Sequence, residues 1–251
     1  MSQDHIGIPK FIERGFAINE TADVFDIVRW KEYGINIDRL GTEGNYYEQD
    51  VEKGLANGIE SEFDKLYKVL CGTTDFDLII KSVKDNRELI TRFFSYMFSR
   101  SKKTLEKIND ESITSRIFGS INHSEFLRIQ SHINVNPLKI IGDEYEFYPL
   151  INFSKIHFIN NSVGFGFLVT KEKRYSVVIP LNTRVAILIS NSDAVKGKEL
   201  LFIKPDSIKE ADTINKCMCK LEMELGNGFI FAESSEILAP YIEYIESLRN
   251  L

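Results

Sequence analysis

Apolar positions recur with two different periods along this chain. From Gly164 to Ser190 the sequence reads GFGFLVTKEKRYSVVIPLNTRVAILIS. Short runs rich in Val, Ile and Phe, bounded by polar turns, predict three consecutive strands. Most of this stretch does not alternate, as expected of strands buried on both faces. Earlier, Val24 to Trp30 alternates and predicts a strand. Ile35, Ile37 and Leu40 continue the period, giving a hairpin across Lys31 to Gly34. His5 to Phe16 precedes it as an extended lead-in, since Pro9 disfavours helix at Ile8.

Between Gln49 and Leu70 the period changes to three and four, with Val51, Leu55, Ile59, Phe63, Leu66 and Leu70 on one face of a predicted helix. Gly54 and Gly58 on that helix suggest close packing of another backbone. After Gly72 and Thr73, a cap-like Thr74-x-x-Asp77 opens a second helix extending to about Asn109, and the two form an antiparallel hairpin. Helix is weakly suggested from His123 to His132. Gly142 to Ile151 gives a turn and a short strand, and Leu200 to Ile203 another. Ser207-x-x-Glu210 is a capping box for a helix ending at Gly226; a strand over Gly228 to Ala232 and a helix over Ile237 to Leu248 close the chain. The pattern predicts one α+β domain over 1–251, with a central, mostly antiparallel sheet and a helical hairpin packed against it. An extended lead-in and hairpin occupy 1–48, the helical part 49–136, and the meander with the last helices 137–251.

Composition narrows the function little. The 251 residues are 43% hydrophobic and 27% charged with a formal charge of −6, ordinary globular values that argue against a uniformly basic nucleic-acid-binding surface. No run of 18 apolar residues marks a membrane span, and MSQDHIGIPKF lacks the regions of a signal peptide, so a cytoplasmic protein without membrane attachment is expected. Three cysteines do not suggest a disulfide framework. Cys217 and Cys219 fall on different sides of one predicted helix, so they would not chelate one ion.

The four histidines show no metal-ligand spacing, and no complete nucleotide-binding or nucleophile motif is present. Gly164-x-Gly166 leads into a strand and reads as strand packing. Glu60 with Asp64 one turn later offers two carboxylates for Mg²⁺ or acid–base work, although a solvated helix face explains them as well. Arg92, Arg100, Lys102 and Lys103 offer a phosphate grip or a plain helix end, and Lys171 to Arg174 a solvated turn.

Short motifs in a fixed order resemble bacterial domain-of-unknown-function family 4238. They are His5-x-x-x-Pro9-x-Phe11 with Phe16 and Val24-Phe25-Asp26, then Asn45-Tyr46-Tyr47, Ile59-Glu60, and Phe93 with Arg100. Gly166-Phe167-Leu168, Val178-Ile179-Pro180-Leu181, Thr213-Ile214-Asn215 and Phe229-Ile230-Phe231 follow. The chain departs from the family pattern at Met97 and over Thr170 to Lys173. The resemblance implies a bacterial effector, toxin-like or acting in phage defence, that hydrolyses nucleic acid with metal assistance. His5 would be the general acid/base, Glu60 the base or Mg²⁺ ligand, and Arg100 the phosphate clamp. The alternative is a non-catalytic module recognising a protein partner or a phosphorylated ligand.

Overall fold

A computed structural model describes residues 3–5, 8–44, 56–100, 145–169 and 175–250. The long apolar run supplies its largest sheet. β5 (Glu146–Asn152), β7 (Gly166–Val169), β8 (Tyr175–Pro180), β9 (Val185–Ser190) and β10 (Leu201–Ile203) lie in the order β10-β5-β9-β8-β7. Every neighbouring pair is antiparallel except β10–β5. All six residues of β9 are buried, as the absence of alternation predicts. Pro149 sits inside β5 without harm: β10 pairs only from Leu150 onward, so the missing N–H falls outside that ladder.

Where one central sheet is expected, the chain builds a second. β2 (Thr21–Asp26), β3 (Lys31–Asn36), β6 (Asn160–Asn161) and β11 (Phe229–Ala232) form an antiparallel sheet in the order β3-β2-β11-β6. A two-stranded ribbon pairs β1 (Gln3–His5) with β4 (Thr42–Gly44). One continuous buried cluster joins residues from Ile8 to Ile245, so the sheets and helices share a core in a single α+β domain.

Local side-chain bonds move several boundaries. The first hairpin turns at Ile27 to Trp30 rather than Lys31 to Gly34. Asp26 Oδ1 accepts the Arg29 N–H at 2.8 Å, and Trp30 adopts φ of 53°. The lead-in is not wholly extended, because α1 (Lys10–Arg14) starts directly after Pro9, a residue tolerated at a helix start. A turn of π-helix (Ala56–Glu60) runs into α2 (Ser61–Gly72). A Cβ on Gly58 would meet nothing within 4 Å among the described residues, so no close backbone explains that glycine; Gly54 lies outside them.

The expected long second helix is broken in two, α3 (Phe76–Asp85) and α4 (Arg87–Arg100). Asn86 leaves helical geometry and its Nδ2 donates to the Ser82 carbonyl at 2.8 Å, closing α3. Asp75, not Thr74, caps α3 by accepting the N–H groups of Asp77 and Leu78. α5 (Ile208–Leu225) begins at Ser207 without the expected capping bond from that side chain. α6 (Ser235–Arg249) packs on α5 and β2. The suggested helix near His123, the helix end beyond Arg100 and the turn over Lys171 to Arg174 lie outside the described residues. No helix among those described is long and apolar enough to cross a membrane.

Gly164 and Gly166 do serve packing. Gly164 has φ of +84°, and a Cβ there would come within 2.2 Å of Ile8 Cγ2. At Gly166 the added atom would lie 3.3 Å from the α5 backbone. Gly164→Ala therefore combines left-handed strain with a clash and is expected to lower stability by about 2–3 kcal/mol. Gly197→Ala, with φ of +76° and nothing within 4 Å, should carry only the conformational part. Urea denaturation of both variants separates the two contributions.

Candidate functional site

Of the three side chains singled out by the family resemblance, Glu60 alone is among those described. His5 is on β1, its backbone paired with Thr42, and Arg100 is the last residue of α4. The side chains of both lie outside the described residues. Glu60, at the end of the π-turn, accepts a hydrogen bond from the buried Tyr96 hydroxyl. Asp64 accepts one from Lys68 at 2.6 Å. Arg92 reaches Glu62 at 3.5 Å, while Lys102 and Lys103 fall outside the described chain. Among the described residues no three His, Cys, Asp or Glu side chains group closely enough to hold a metal ion. Burial raises the Cys71 thiol to about 12 and the Cys217 thiol to about 11, so neither is a ready nucleophile.

A histidine, a glutamate and an arginine nevertheless come together elsewhere. Two asparagine-built turns prepare the ground. Asn152, ending β5, accepts the Ser154 N–H at 3.0 Å and donates to the Ile156 carbonyl at 2.7 Å, curling the chain toward His157. Asn182 accepts the N–H groups of Arg184 and Val185 at 2.8 and 2.7 Å, setting Arg184 at the head of β9. The Arg184 guanidinium donates to the Ser154 carbonyl and to His157 Nε2, and His157 Nδ1 meets Glu233 Oε1 just past β11.

Roles follow from donor chemistry. Arginine only donates, so Nε2 of His157 is the acceptor and the proton of the neutral ring sits on Nδ1, given to Glu233. The backbone on which the ring stands is fastened to α5. Asn215 Nδ2 donates to the His157 carbonyl and to the Tyr241 hydroxyl, both at 2.8 Å, and Asn215 Oδ1 accepts the Ile159 N–H at 3.1 Å. Burial pushes the Tyr241 hydroxyl up, so it remains protonated at neutral pH. The His157 and Glu233 side chains retain 26% and 22% exposure, enough for a ligand to reach them.

Beside this centre lies an exposed aromatic surface. Phe153, between the two residues whose carbonyls face Arg184, stacks on Phe202 of β10 at 5.8 Å. Phe202 meets Phe76 of α3 edge-on at 5.4 Å, and all three rings are exposed. Comparison with protein-family models, with curated proteins and with solved structures finds no match for the chain.

Proposed function

We propose that Glu233, His157 and Arg184 form an acid–base centre acting on a phosphoryl group, making the protein a hydrolase of nucleic-acid type. The observation that carries this reading is the surface-reaching chain from carboxylate to imidazole to guanidinium. A phosphoryl anion offers Arg184 charge-assisted, paired hydrogen bonds, which are stronger than its bond to a neutral imidazole. When the guanidinium turns to the anion, Nε2 is freed. It takes a proton from an attacking water as that oxygen bonds to phosphorus, and the imidazolium returns the proton to the ester oxygen as its bond to phosphorus breaks. Glu233 stabilises the imidazolium so formed, as the carboxylate does in hydrolase triads. The stacked Phe153 and Phe202 support a base-bearing substrate, because nucleobases stack on exposed rings.

The test is turnover of RNA, DNA and a simple phosphodiester, with and without Mg²⁺ or Mn²⁺. Hydrolysis that disappears in His157→Gln but persists in His5→Ala and Glu60→Gln supports this centre; the reverse pattern returns the site to the residues implied by the family resemblance. Kinship with family 4238 is proposed on the order of the motifs alone.

A second reading is recognition without turnover. Both nitrogens of His157 are engaged in the structure, an arrangement that also suits a rigid ligand-binding junction. It predicts a ligand that raises the melting temperature while no product forms.

A further inference from the structure

We propose that a cleft at the other end of β5 binds a phosphate-bearing small molecule. Its volume is about 420 Å³, and Lys84, Arg87 and Lys198 line it together with Glu146, Tyr148 and Glu199. Four residues of strand at about 3.3 Å each put Tyr148 about 13 Å from Asn152, so the cleft is separate from the His157 centre. That volume falls near the small end of ligand sites and suits a sugar phosphate better than a polymer.

The cations are arranged for exchange. Arg87 lies over the Phe147 ring with its guanidinium carbon 5.1 Å from the centroid, and its Nη2 donates to the Tyr145 carbonyl at 2.9 Å. Stacked and pinned, the guanidinium keeps a fixed plane, the geometry that favours paired recognition of phosphate. Lys84 bonds Glu199 at 2.5 Å, but the two side chains are 55% and 65% exposed. Exposed ion pairs are weak, so a doubly charged phosphate competes well with one carboxylate for that ammonium. Glu199 thus holds Lys84 at the cleft and yields it to the ligand. Glu146, which accepts from the Tyr148 hydroxyl at 2.5 Å, has lone pairs left for a sugar hydroxyl.

Calorimetric titration of the full chain with ribose 5-phosphate, inorganic phosphate and ribose tests the assignment. Ribose 5-phosphate should bind, phosphate more weakly, and ribose not at all. Arg87→Gln should weaken binding at least about tenfold, equal to about 1.4 kcal/mol. Glu199→Gln should tighten it severalfold, because Lys84 is released. Lys198→Gln, a substitution outside the Arg87–Tyr145 contact, should also weaken binding and serves if Arg87→Gln fails to fold. Absence of binding by ribose 5-phosphate and inorganic phosphate, wild-type affinity in the arginine and lysine variants, or weaker binding by Glu199→Gln would overturn the proposal.

Discussion

Replacing Glu222 by alanine is expected to destabilise the protein by about 3–5 kcal/mol, a large part of the roughly 5–15 kcal/mol that holds a domain together. The carboxylate is fully buried on α5. Its Oε1 accepts the N–H groups of Gly228 and Phe229 at 2.6 and 2.8 Å, and its Oε2 accepts that of Ser162 at 2.9 Å. The Ser162 hydroxyl adds a further bond at 2.8 Å while accepting the Asn227 N–H at 2.6 Å. One side chain therefore fastens the end of α5, the turn after β6 and the start of β11. Truncation leaves several buried donors unsatisfied, each at about 1–3 kcal/mol, offset only where water enters.

The pH dependence has a definite sign. Burial pushes the Glu222 carboxyl up, and the donors from Ser162, Gly228 and Phe229 oppose it. With the folded value raised above the unfolded one, the native state binds the proton more tightly. This contribution is fully present below the ordinary value of 4.5 and is lost as pH rises through the raised one. The stability difference between wild type and Glu222→Gln should therefore narrow with rising pH. Urea midpoints at several pH values measure it, and a widening gap would refute the sign.

The second large effect is on activity. His157→Gln should lower turnover by about 10²–10⁴-fold, the range for removing a general acid–base group. Glutamine can keep a hydrogen bond to Glu233 but cannot relay a proton. Arg184→Gln should instead raise KM for the anionic substrate, because in the proposed centre the guanidinium would grip the ground state as well as the transition state. A melting temperature close to wild type in each variant would separate chemistry from folding. Equal losses of stability and activity would make the cluster a staple rather than a site.

The buried strands were legible in the sequence because β8 and β9 are nearly unbroken apolar runs, with Ser176 and Ser190 bonded to each other, a pattern that survives any turn geometry. The packing role of Gly164 and Gly166 was also legible, since glycine leading into a strand needs a reason. The breaks at Asp26 and Asn86 were not. Each depends on one side chain bonding to backbone a few residues away, and such residues, though favoured at turns and caps, are not confined to them. The second sheet was hidden because β6 is only two residues long and pairs with β11 across a large sequence gap. His157 was passed over for a similar reason. Its partners Arg184 and Glu233 stand 27 and 76 residues away, so no local spacing announces them. The usable signal was indirect: Asn152 and Asn182 are turn formers bordering buried strands, and such turns place loop residues on a rigid frame.

Nitrogen-resolved NMR of the His157 imidazole, recorded with and without a phosphodiester or inorganic phosphate, tests the central claim most directly. The free protein should show the proton of the neutral ring on Nδ1 and an unprotonated Nε2. The anion should shift the Nε2 resonance as Arg184 leaves it, and Arg184→Gln should abolish that response. A proton on Nε2 in the free protein, or an imidazole indifferent to the anion, would contradict it.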